Sequence, residues 1–298
     1  MIQPLKGEKL NYIKHIGFIG CELMYPYLML NLHKQSNFLA LYNIVDRTCE
    51  GTFFTQGGGP EEFISFNVLN QINDSTFWVN DLGKRRLSEY AIKREEGNVK
   101  MVRRNIVRYD NLMDDIFTMF INGAGEPFYY KCFSIEEGVS IRNSSDEAKV
   151  YPYSRKFTMN DMNHFTMLAD CMNSDRTKMA SLTGIFDQVE IMSLTSAAEN
   201  LCLATSPLKS WESYENTSRN EYTYPYLSLP RCDDRYIATL HDNSGKKEIL
   251  FFDWSGNGVC QCPVNENLVD FAIDWKRNMI YGVSDNEEIF MYDVSFLK

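Results

Sequence analysis

One short pattern recurs six times along this chain: an apolar pair, a polar turn, and a second apolar run ending in an aromatic ring. Its clearest copies are Asn37 to Tyr42, Arg86 to Tyr90, Lys247 to Phe252 and Glu288 to Tyr292. The five intervals between Tyr42 and Tyr292 average about fifty residues each, the spacing of a repeat array. Each copy is too small to bury its apolar face alone and must cover it with the next copy. The expected fold is therefore all-β: a six-bladed β-propeller of four-stranded antiparallel blades, with residues 1–298 forming a single domain.

Composition agrees with that reading. Aromatic residues make up 13% of the 298 residues, from 19 Phe, 17 Tyr and 4 Trp, a bias that suits strands better than helices. Apolar residues reach 44% and charged residues 23%, which is globular composition. Turn signals punctuate the apolar runs at short intervals. Asp242 to Gly245 and Ser255 to Gly258 each lie between two such runs and offer a glycine for a hairpin turn. Asp110 to Met119 has the apolar spacing of a short helix.

The phase of the repeat makes a geometric prediction. The last copy stops soon after its third strand, while an extra apolar segment, Tyr12 to Ile19, precedes the first complete copy. An N-terminal strand supplying the missing outer strand of the last blade would close the fold and cover an unpaired edge.

At Gln56 to Phe63 the chain carries Gln-Gly-Gly-Gly-Pro-Glu-Glu-Phe. This resembles the Gly-x-Gly-Pro-x-Glu-Phe signature of the TolB-like six-bladed propellers common in Bacteroidetes, with Gly57, Gly59, Pro60, Glu62 and Phe63 filling its positions. Asn173 to Ala180 is similar to the Pro-Asp-Gly-Thr-Lys turn of that group, with Ser174 and Arg176 where the family has Pro and Gly. The likeness runs from about Leu5 to Phe296 by the order and spacing of its motifs. It implies an exported protein of the periplasm or cell surface, often a lipoprotein, whose signal and lipid anchor would precede this chain. Most members lack a defined biochemical role.

The formal net charge is −10, which repels a nucleic-acid backbone unless positive charge is concentrated locally. One segment concentrates it. Lys84 to Arg108 holds nine basic residues against three glutamates. With Tyr90 its only interleaved ring, it reads as a solvated blade edge in which charge blocks unwanted strand pairing, and nucleic acid is not an expected partner. The glycine-rich loop has neither a following Lys-Ser/Thr nor a helix start, so it reads as a blade-to-blade crossover rather than a phosphate cradle, with Phe63 packed between blades.

Signals for chemistry are sparse. There is no Gly-x-Ser-x-Gly elbow. His15, His33, His164 and His241 are scattered; His15 reads as a packing residue and His241 as part of an exposed turn. No catalytic residue, cofactor or metal ligand is assigned. Cys260 and Cys262 share a strand face, but no second Cys or His pair supports a zinc site, so the eight cysteines read as buried free thiols, with disulfides of undetermined pairing the alternative. Asp81, Asp233, Asp234, Asp274 and Asp285 are the acids available to an axial metal of the kind found in lactonase-type propellers. No stretch approaches the ~20 apolar residues of a membrane span.

The binding candidate is the aromatic set Trp211, Tyr214, Tyr222 and Tyr224 around a polar loop. Tyr222, Tyr224 and Tyr226 alternate as a strand does, so part of this set belongs to the core. The functional expectation is a non-catalytic recognition module for a peptide, glycan or partner protein. A lactonase- or lyase-like propeller enzyme with an axial metal is the alternative, and an envelope scaffold a third.

Overall fold

The computed structural model describes residues 1–298 other than 13–16, 34, 70–72, 74, 111–114, 123–124, 135–137, 153–168, 184–186, 196–199, 205–224 and 298. The fold is a six-bladed β-propeller of four-stranded antiparallel blades. Strand β1 (Glu8–Tyr12) comes first and is used last. The first blade in sequence is β2 (Phe18–Met24), β3 (Tyr27–Leu32), β4 (Asn37–Asn43) and β5 (Thr48–Thr55). The second is β6 (Asn67–Val68), β7 (Thr76–Asp81), β8 (Arg86–Glu95) and β9 (Asn98–Arg108). The third is β10 (Asp115–Ile121), β11 (Pro127–Ser134), β12 (Gly138–Asn143) and β13 (Asp146–Pro152). Next come β14 (Ala169–Met172), β15 (Lys178–Thr183), β16 (Gln188–Ser193) and β17 (Leu201–Ala204), then β18 (Arg231–Cys232), β19 (Tyr236–Asn243), β20 (Lys246–Asp253) and β21 (Gly258–Pro263). The last sheet holds β22 (Leu268–Asp274), β23 (Met279–Ser284) and β24 (Glu288–Asp293), and its order is β1-β24-β23-β22.

The N-terminal strand therefore closes the last blade, by pairing such as Glu8↔Met291 and Tyr12↔Glu288, with Lys9 Nζ 2.6 Å from Glu288. The closing segment lies earlier than its apolar pattern indicated. Phe18–Met24, the end of the expected stretch, is instead the first strand of the next blade, paired to β3. The expected helix at 110–119 is also corrected. Residues from Asp115 onward form β10, because an apolar run rich in Ile, Phe and Thr fits a pleated sheet as readily as a helix face.

Backbone contacts divide the chain into two compact units. The first is Met1–Gly7, Phe133–Ser140 and Tyr151–Asp270; the second is Glu8–Cys132, Ile141–Val150 and Phe271–Lys298.

In the second unit the core is aromatic. Phe63, Phe66, Phe77 and Tyr90 are buried with Met29, Leu39 and Leu41, joining blade β2–β5 to blade β6–β9. Full burial of each large apolar side chain contributes about 1.5–3 kcal/mol. Phe54 stands among these rings, 4.7 Å from Tyr90 and 4.9 Å from Phe66 between centroids. Its φ of +66° is a left-handed conformation that a bulky residue adopts only when packing holds it.

The first unit carries more buried polarity. Asp170, Ser181 and Glu190 lie opposite one another across β14, β15 and β16, all buried. Residues Met1 to Leu5 run alongside β21: Gln3 N donates to Gln261 O and Leu5 N to Pro263 O. Turn chemistry follows expectation. The β19–β20 hairpin turns through Ser244 and Gly245, both at positive φ, the two-residue geometry that matches strand twist. Arg176, standing where the resembled family has Gly, takes φ +61°.

Candidate functional site

Among the described residues, the second unit holds a recess of about 480 Å³, lined by Gly58, Gly59, Pro60, Glu61, Lys84, Arg86, Arg103, Ile106 and Arg108. Two segments that read as separate in sequence meet here: the glycine-rich loop and the basic run. The loop is a crossover between β5 and β6, as its composition indicates, and Phe63 is buried between the two blades.

Each cation is placed by backbone geometry. Asp81, at the end of β7, is fully buried and accepts from the backbone N–H of Ser65 at 3.1 Å and of Lys84 at 3.3 Å. That holds the single 3-10 turn Leu82–Lys84, which Arg85 ends in a left-handed conformation. Lys84 Nζ thereby reaches Gly59 O at 2.5 Å and Glu62 O at 2.7 Å. Arg86 donates to Pro60 O at 3.0 Å and Glu62 O at 3.1 Å, stands 3.6 Å from Asp81, and lies 4.9 Å above the Phe63 ring. Space for a side chain is tight at 57 and 59 because the Glu62 carboxylate folds back to accept from Gly59 N–H at 2.7 Å. A Cβ at Gly57 would stand 2.1 Å from that carboxylate.

Arg103 and Arg108 come from β9, the outer strand of the blade. Arg103 makes a two-pronged bond to Glu61 at 2.7 and 2.9 Å, and that carboxylate holds its pKa above the ordinary guanidinium value. The blade-edge reading of the basic run stands for β9, whose Lys100 and Arg104 are exposed. What the sequence reading missed is the loop facing that edge. A signal existed: two charged motifs belonging to adjacent repeats.

A second cluster lies in the first unit. His241 is buried, with Nδ1 2.9 Å from Glu248 Oε1 and Nε2 3.4 Å from Asp187. Gln261 Nε2 donates to the other Glu248 oxygen at 2.6 Å, and the Tyr226 ring centroid is 5.3 Å from that of His241. Burial pulls the His241 pKa down, but hydrogen bonds that its ring donates to Asp187 and Glu248 outweigh it, and the net direction is upward. Burial raises the Tyr226 hydroxyl as well. The exposed-turn reading of His241 is thus corrected: β19 continues past it to Asn243, so it sits inside the sheet rather than at its tip.

Trp211, Tyr214, Tyr222 and Tyr224 lie outside the described residues, as do His15 and His164. Tyr226 is core, packed with Leu182 and Val189. Four of the axial acids are engaged in turns. Asp81 holds the loop; Asp233 accepts from Tyr236 N–H at 2.7 Å; Asp234 accepts from Ser174; Asp274 accepts from Arg277 N–H at 3.0 Å. Among the described residues no three His, Cys, Asp or Glu side chains converge as metal donors. The eight cysteines are thiols outside any disulfide, with Cys260 and Cys262 sulfurs 3.5 Å apart and buried. Among the described residues no helix is long and apolar enough to cross a membrane.

No protein-family model matches the chain, and neither does any curated protein. Solved structures do. A protein of Bacteroides fragilis described as exported matches with a TM-score of 0.52 at 12% identity, over 97% of this chain and 94% of that one. A DUF4221 family member from Bacteroides vulgatus matches with a TM-score of 0.56 at 10% identity, over 98% and 94%. The calcium-binding protein regucalcin from Agrobacterium tumefaciens matches with a TM-score of 0.52 at 11% identity, over 98% and 95%. At these identities the likeness is one of fold, and the fold it supports is the propeller.

Proposed function

We propose that this chain is a non-catalytic recognition module of an exported, TolB-like propeller, working in the periplasm or at the cell surface of a Bacteroidetes bacterium. Its ligand is a peptide, glycan or partner protein. The Bacteroides fragilis neighbour described as exported supports the location, while the recess carries the functional reading. Its volume falls within the range of ligand-binding pockets, about 300–1,000 Å³. Arginine dominates its lining, stays protonated and has no lone pair to act as a base, so the recess offers mainly charge and donors. Lys84 and Arg86 are tied to loop carbonyls, which fixes the shape of the wall before any ligand arrives, and preorganisation of that kind favours binding.

The test pairs a binding screen with a turnover assay. Purified protein is presented to peptide and glycan arrays, and separately to lactone and ester substrates with and without added calcium. Binding without turnover is the expected result. Calcium-dependent hydrolysis would replace this reading with a propeller hydrolase or lyase resembling the enzymes for which an axial metal does the chemistry.

A further inference from the structure

We propose that the recess is a receptor for an extended acidic peptide segment of a partner protein, whose carboxylates take the place that Glu61 now fills on Arg103. The inference rests on the recognition reading above and names its ligand class.

Strand register assembles the site. Across β8 and β9 the pairs Arg86↔Arg108, Ser88↔Ile106 and Tyr90↔Arg103 stand directly opposite, so their side chains share one face. The shared face depends on a bulge. Glu89 pairs with Asn105 and Tyr90 with Arg103, leaving Arg104 as the extra residue. Without it, strict alternation would put Arg103 and Arg108 on opposite faces. The bulge instead delivers guanidinium, isoleucine and guanidinium in a row.

Two arginines directly opposite one another repel, and only one of this pair is compensated. Arg86 has Asp81 and two loop carbonyls. Arg108 is exposed, lines the recess, and has no acidic or hydrogen-bonding side-chain partner among the described residues. Of the four cations that line the recess, Arg86 is answered by Asp81 and Arg103 by Glu61, and the Glu61 carboxylate is loosely held. The Glu61 side chain is 73% exposed, where an ion pair contributes little net stability. Its bidentate seat on Arg103 shows that the recess accepts a carboxylate in fork geometry.

Spacing selects among anions. Four register steps separate Arg103 from Arg108, about 13 Å of strand, more than one phosphate or sulfate group covers. Ile106 lies between them, 42% exposed. The complement is an extended chain with an apolar residue flanked by acids at alternate positions. A glycan is disfavoured, because no aromatic ring lines the recess to stack on a sugar.

The probe is a fluorescent nine-residue peptide with glutamate two positions before and two positions after a central leucine, followed by anisotropy. Wild-type protein should bind it, with affinity falling severalfold as salt rises. Arg108→Ala should weaken binding about tenfold, Glu61→Gln should strengthen it about threefold, and a glutamine version of the peptide should not bind. Both substituted residues are exposed, so equal melting curves confirm folding. No wild-type binding, unchanged affinity in Arg108→Ala, or equal competition by a polyuronate or inorganic phosphate would overturn the proposal. Should the wider screen yield a ligand that Arg108→Ala binds normally, this site fails while the recognition role stands. Lactone turnover sinks both.

Discussion

Two charged clusters in this molecule are built from similar materials and come to opposite ends. Around His241, one imidazole, two carboxylates, a glutamine amide and a phenol close on one another inside a sheet. Around Gly59, Lys84, Arg86, Arg103 and Arg108 line a recess in which Asp81 answers Arg86, Glu61 answers Arg103, and Arg108 is left over. The first cluster is largely matched from within: the imidazole stands between two carboxylates, and Gln261 donates to one of them, as burial demands. The second is unmatched, and its surplus charge faces a cavity. Matched polarity is what a fold needs to stay shut, whereas surplus polarity in a concave place is what a ligand can answer. The contrast also explains why an acidic protein keeps a basic run: part of it holds the loop, and part is left over.

The largest effect should come from the shared wall. Arg86→Ala removes two carbonyl bonds and leaves Asp81 buried without its cation. A cost of about 3–5 kcal/mol is expected in urea denaturation. A loss below about 1 kcal/mol, the scale of an ordinary hydrogen bond, would mean that Lys84 and Phe63 hold the loop without it. Next is the closed cluster. His241→Leu leaves Asp187 and Glu248 without their imidazole and should cost about 1–3 kcal/mol near neutral pH. The His241 pKa stands above its unfolded value. Its contribution is therefore full below about pH 6.5 and declines as pH rises through the folded pKa. The stability gap between wild type and this variant should narrow toward alkaline pH; a gap that widens would break the comparison.

Smaller still is Gly59→Ala, whose Cβ would stand 3.0 Å from the Glu62 carboxylate and weaken the bond to the residue-59 amide. About 1 kcal/mol is expected, with a matching loss of peptide binding as the wall moves. Smallest is Glu61→Gln, which should leave the unfolding midpoint unchanged, because an exposed ion pair contributes little. A clear destabilisation would show Glu61 to be a structural clamp rather than a displaceable occupant, and the two clusters would then be alike.

Much of the fold was readable before any coordinates. Runs such as Asn37 to Asn43 and Lys246 to Asp253 carry the apolar density and aromatic ends of strands, and their fifty-residue recurrence implies blades. The innermost strands were harder. β6 and β18 are two residues each, too short for alternation to register against a period of two. β12 and β13 were hard to read as well, because polar residues interrupt the apolar signal there.

By itself, the sequence determined the bladed, all-β architecture, the crossover character of the glycine loop and the closing role of the N-terminus. These follow from local periodicity, and local periodicity is written in neighbouring residues. The tertiary structure alone decided that Arg103 and Arg108 share a face, that Glu61 reaches Arg103, and that His241 lies between Asp187 and Glu248. Each of those depends on register between strands, and one bulged residue reverses every side chain beyond it.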